Sequence, residues 1–169
     1  MASHEKPVAL AVLLLTAVAG GPRPEKPFSV FVTSSAKGDP KAVAAVLEGQ
    51  AELEKRLRKE DEWFRLVATE DEAEITVDLF AYWVHEEMRS HWETRAGGPG
   101  GATHDIEVNQ VERHHNLQSY VTILGDPREM TGAEINKDGG GPKGAAKDLM
   151  EQLKRHCRDH YDELALKRK

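Results

Sequence analysis

The chain predicts an α+β fold, a two-layer α/β sandwich, over residues 28–169: a mixed sheet of about four to five strands with two helices on one face. Three observations carry this. Runs dense in Phe, Val, Ile and Trp recur at 28–33, 63–68 and 74–84. Two stretches, one after Asp39-Pro40 and one after the Gly-rich run 139–144, space their apolar residues by three and four. The expected order is strand, helix, strand, strand, strand, an optional short strand, and helix, with no internal repeat.

Residues 8–19 form an apolar run that ends Ala17-Val18-Ala19 before Gly20-Gly21-Pro22. A secretory signal has an apolar centre of this length and small residues before the cut, whereas a spanning helix needs about 20 residues. Residues 1–19 therefore read as a signal peptide cleaved after Ala19, which places the mature protein outside the cytoplasm, periplasmic or secreted, without stable membrane insertion. No Cys stands at the cut, so no lipid anchor is expected. Residues 20–27, with Pro22, Pro24 and Pro27, read as an extended linker.

In the mature chain Phe28, Val30, Phe31 and Val32 define the first strand. Asp39 then reads as a helix N-cap with Pro40 at the first helical position, where its missing N–H is not needed. Val43, Val46, Leu47, Leu53 and Leu57 give that helix an apolar stripe, and Gly49 weakens its middle. A second strand over 63–68, joined to the first by the helix, is expected to run parallel to it with a right-handed connection.

After an acidic break at 69–72 the third strand begins. Strict alternation puts Ile75, Val77, Leu79, Ala81 and Trp83 on its core face. It continues into a polar ribbon, turns at the Gly-rich tip 95–102 and returns, so that residues 74–124 form one long hairpin. Along the return strand the apolar positions switch from even to odd, which predicts a bulge or break within 111–118. Gly125-Asp126-Pro127 is a turn, 129–135 a short last strand and 137–144 a flexible link. The final helix carries Ala146, Leu149, Met150, Leu153, Cys157, His160 and Leu164 on one side.

The formal net charge of -6 argues against a nucleic-acid backbone as ligand, since that binding needs clustered Lys and Arg. The cluster at 55–59 is enclosed by Glu52, Glu54, Glu60, Asp61 and Glu62, and reads as a solvated helix face. The single cysteine excludes an intramolecular disulfide and a thiolate metal cage. No nucleophile elbow occurs, and 139–146 lacks the order of a nucleotide-binding loop. No cofactor is expected.

Two candidate sites remain. Tyr82, Trp83, Met88 and Trp92 put more aromatic and thioether surface on the hairpin than a solvated ribbon needs, which suits a protein partner or a second copy. The alternative is metal binding by histidines, either His85 and His91 in the hairpin or His156 and His160 at i, i+4 on the last helix. His114 and His115, adjacent on a strand, point to opposite faces.

Val30-Phe31-Val32, the amphipathic helix, Trp63-Phe64-Arg65-Leu66-Val67, a polar gap and Glu72-Ala73-Glu74-Ile75-Thr76-Val77 together resemble a pattern of small exported bacterial α/β proteins. More distantly the pattern resembles the periplasmic domains of the curli-secretion lipoprotein, the Tol N-terminal domain and the penicillin-binding-protein activator lipoproteins. The resemblance spans roughly residues 28–84, with Glu74 where aspartate is usual. It implies a non-catalytic domain acting through protein contacts outside the cytoplasm, and it transfers no site residue. The expected function is that of an envelope interaction domain working through the long hairpin or a sheet edge, with a metal-binding protein or metal-dependent hydrolase as the alternative.

Overall fold

The computed structural model describes residues 23–96, 101, 103–136 and 140–168. The expected signal peptide, most of the Gly-rich tip and the link at 137–139 lie outside the described residues. Five strands form one mixed sheet in the order β2-β1-β3-β4-β5. They are β1 (Phe28–Ser34), β2 (Phe64–Leu66), β3 (Ile75–Ala96), β4 (Thr103–Ile123) and β5 (Asp126–Asn136). The helices are α1 (Pro40–Lys59), α2 (Pro142–Asp159) and α3 (Tyr161–Lys167), and a single 3-10 turn occupies Glu70–Glu72. The α+β sandwich expected from the sequence is the fold observed, with the last strand longer than expected and the last helix divided in two. Among the described residues no helix is long and apolar enough to cross a membrane.

β1 pairs in parallel with β2 and with β3, while β3, β4 and β5 are antiparallel neighbours. α1 starts as the sequence dictates: the Asp39 carboxylate accepts from the Ala42 N–H at 3.1 Å and Pro40 opens the first turn. Val46, Leu53 and Leu57 of α1, and Leu149, Leu153 and Cys157 of α2, are buried against Val30, Ile75, Val77, Leu79, Leu117, Val121 and Ile123 of the sheet. Leu47, expected in the stripe, is 52% exposed, and Gly49 lies on the buried side instead. A Cβ there would stand 2.8 Å from Leu117 Cδ2, so this glycine lets the helix axis approach the sheet. Burial pushes the Cys157 thiol up to about 12, which keeps it an inert core group.

Two expectations about the hairpin fail. The β3–β4 register shifts between Leu79 and Ala81, so the irregularity lies in β3, not in 111–118 of β4, which pairs without interruption. An extra residue in one strand reverses every later side chain relative to its earlier parity. Tyr82 therefore joins Leu79 on the helix-covered face, while Ala81 and Trp83 turn to the bare face. The parity switch in β4 has a different origin. Odd positions from His115 to Ile123 are buried under the helices, whereas farther out the even positions 106–114 are the more covered ones. One regular strand thus changes the face that it shields.

β4 and β5 are joined by a two-residue turn in which Leu124 (φ 47) and Gly125 (φ 87) both take positive φ, as a type I′ connection requires. The exposed edge of β5 is blunted by α2: Asp148 accepts from the Ala133 N–H at 2.9 Å, and Gln152 donates to the Thr131 carbonyl at 2.9 Å.

The C-terminus closes the opposite end of the sheet. Arg168 donates to both Glu74 oxygens (2.6 and 2.9 Å) and to the carbonyls of Lys26 and Pro27, and its guanidinium lies 4.4 Å over the Phe28 ring. Glu74 also accepts from the Ser29 N–H at 2.9 Å. Burial raises the Glu74 carboxyl, but the bonds from Arg168 and Ser29 outweigh it and leave the group below the usual carboxylate range. A carboxyl lowered by folding contributes stability that is present above its unfolded value of about 4.3 and is lost as the pH falls through its folded value. Denaturant titrations should therefore show the stability difference between wild type and Glu74→Gln shrinking as the pH is lowered from about 6 to 3. A difference that does not change over that interval would contradict the assignment.

Candidate functional site

The sheet is four to five strands wide at residues 119–123 of β4 and three strands wide at 113–118, since β1 last pairs with β3 at Leu79 and β5 last pairs with β4 at Arg113. Beyond Glu86, which faces Arg113, the hairpin is a two-stranded ribbon, on the order of 35 Å long at about 3.3 Å per residue. A ribbon of two strands is marginal in water unless its rungs hold it together.

On the face continuous with the helix layer, polar and apolar rungs alternate. Arg113 donates to Glu86 at 2.8 Å, Ser90 to Asn109 at 2.7 Å and Thr94 to Asp105 at 2.6 Å, each between residues directly opposite one another. Between these rungs stand Met88 opposite Val111 and Trp92 opposite Glu107. Met88 and Trp92 are each 70% exposed, with Val84 at 43% and Val111 at 42%. The polar rungs fix the strand register, so the apolar ones are presented at set positions.

At the arm's base, Tyr82 is half-buried, and its hydroxyl lies 2.6 Å from Nδ1 of the buried His115. Burial, then the charges of Glu134 and Glu48, push its phenol up. Of the four aromatic and thioether residues singled out in the sequence, Tyr82, Met88 and Trp92 share this face. Trp83 is on the other, 41% exposed, near the Phe80–Tyr120 stack at 4.3 Å. Val84, beside Trp83, and Val111, between Gln110 and Glu112, are exposed on this face too; a single Val in a mostly polar ribbon carries little periodic signal.

The bare face of the arm gathers charge. Glu87 faces Glu112 directly across the ladder, and His85 faces His114 on the rung toward the sheet. His114 Nε2 lies 3.5 Å from Glu87 and 4.0 Å from Glu112, and Arg89 Nε lies 3.1 Å from Glu112. His91 is farther out and pairs with Glu93 at 3.0 Å. His156 and His160, with ring centroids 4.5 Å apart, lie elsewhere, beside α2 and β5. Arg128 Nη1 is 2.7 Å from His156 Nε2, so a guanidinium faces that imidazole. Burial, then Arg128 and His160, hold His156 below its ordinary value. His160 is exposed where the helix breaks, not part of the apolar stripe.

The Gly-rich entry to α2 is occupied by the chain itself. Glu134 accepts from the Gly141 N–H at 2.9 Å, and a Cβ on Gly144 would stand 1.9 Å from its carboxylate. The open depression of about 410 Å³ at this helix start is lined by Glu48, Glu134 and Lys143, and Glu48 pairs with Lys143 at 3.1 Å.

No family model matches the chain, and no curated protein matches it. Among solved structures it is similar to a PelC dodecamer from Paraburkholderia phytofirmans, at 15% identity and a TM-score of 0.41, over 79% of this chain and 92% of that one. A likeness of that degree transfers neither fold nor function.

Proposed function

We propose that the chain is a non-catalytic interaction domain of the bacterial cell envelope that binds a protein partner or a second copy of itself through the protruding β3–β4 arm. The supporting observation is the arm's face continuous with the helix layer, where Val84, Met88, Val111 and Trp92 stand exposed between rungs that lock them in register. Solvent-facing strands are usually polar, Trp and Met are enriched at the core of interfaces, and Trp is one of the residues that most often dominates their energetics. Both edges of the ribbon also keep backbone groups that a partner strand could pair with. An extracytoplasmic location rests on the N-terminal apolar segment, and processed protein in the periplasm or medium is its direct test.

The arm and the core are separable, since none of the described residues within 86–113 belongs to the core. Replacing 86–113 by an Asn-Gly turn between His85 and His114 should leave the far-ultraviolet circular dichroism and thermal transition of the domain in place. It should abolish self-association in sedimentation velocity, or partner capture from the native envelope. Association equal to that of the full chain would overturn the reading.

A further inference from the structure

We propose that Glu87, Glu112 and His114 form a divalent-metal site at the root of the arm, with zinc the favoured ion. One ligand atom from each of Glu87, Glu112 and His114 lies within 4.8 Å of the others. Two carboxylates directly opposite across a ladder repel each other, and they are tolerated where a cation lies between them. Arg89 supplies one positive charge from the next rung, 3.1 Å from Glu112 and 3.6 Å from Glu87, against two negative ones.

His114 Nε2 is the more telling group. It is buried and makes no hydrogen bond among the described residues, because both carboxylates stand too far away to accept one. An ion among the three would satisfy the imidazole and both carboxylates together. A mixed set of imidazole and carboxylate donors suits zinc, which takes four ligands at about 2.0–2.2 Å from N and O atoms. His85 is directly across from His114, with ring centroids 6.1 Å apart, so a second imidazole stands on the adjoining rung.

The ligands come from both strands of the hairpin, so an ion here would clip the arm where it leaves the three-strand sheet. The site does not depend on the arm's binding a protein.

The test uses the full, untagged chain, stripped with chelator and titrated with zinc alone by calorimetry, with bound metal counted by mass spectrometry. One zinc per chain is expected. Affinity in the Glu112→Gln/His114→Ala variant should fall by more than the roughly 10–100-fold that loss of an outer-shell partner costs. A His156→Ala/His160→Ala variant should bind as wild type does. As a check independent of any folding defect, zinc should slow amide exchange at residues 85–88 and 111–114 of the wild-type chain. No stoichiometric zinc, or zinc lost only in the His156/His160 variant, would overturn the site.

Discussion

Gly132→Ala is expected to lose about 3 kcal/mol of stability, the upper end of what overpacking costs. Gly132 lies on β5 beneath α2, paired with Leu117 of β4. A Cβ at this position would stand 2.0 Å from the Ala145 carbonyl oxygen and 2.8 Å from Leu149 Cβ. Neither is the end of a flexible side chain: one is helix backbone, and the other is the first carbon of a core leucine. Relief requires α2 to rise off the sheet, which would uncover Ala145, Ala146 and Leu149, all fully or almost fully buried. The control is Gly141→Ala. Nothing lies within 4 Å of its Cβ position, its φ of -169 is ordinary extended backbone, and its expected cost is about 1 kcal/mol or less. Urea titration of the two variants checks the contrast, and equal costs would show that α2 does not bear on Gly132 so closely.

The second large effect falls on association and not on stability. Met88→Ser/Trp92→Ser removes the two most exposed apolar side chains of the arm. Neither belongs to the core cluster, so the thermal transition should move by no more than about 0.5 kcal/mol allows. The rungs of Ser90 with Asn109 and Glu86 with Arg113 remain to hold the ribbon. If these side chains anchor an interface, their loss costs at least about 2 kcal/mol, roughly 30-fold in Kd. A Trp83→Ser variant on the opposite face separates the two sides of the arm. Loss of binding there, with Met88→Ser/Trp92→Ser unaffected, would move the interface to the bare face.

The layers of this fold were legible because they rest on local periodicity. Asp39-Pro40 opened the first helix, and the apolar runs marked the strands. What escaped depends on neighbours distant in sequence. Apolar residues occupy both parities around Phe80, so alternation alone could not reveal a bulge there, and Trp83 was assigned to the wrong face. Gly49 read as a weak point of a helix, because the sequence does not say that Leu117 lies beneath it. The helical period puts His160 in the core only if it runs past the break at His160 itself, where φ is -113 and ψ 20. Arg168 is far from Glu74 in sequence, and only the docking of the last helix brings them to 2.6 Å.

The same limit shaped the candidate site. Aromatic and thioether residues stand out in the ribbon by composition, and Met88 and Trp92 are exposed in the structure. Glu87 and Glu112 were two acids among many until the register set them face to face with His114 beside them. Of the two hairpin histidines considered, His85 lies at that cluster, whereas His91 pairs with Glu93 farther along the arm.

The arm's role is tested most directly by placing a photo-crosslinking amino acid at position 92 and, separately, at position 129 of the full chain in the native envelope. Position 129 is an exposed residue of β5 distant from the arm's outer rungs. Covalent protein adducts from position 92, to a partner or to a second copy, and none from position 129, are the expected result. Adducts from position 129 alone, or none from position 92 in an envelope where the chain is present and folded, would contradict a contact made through the arm.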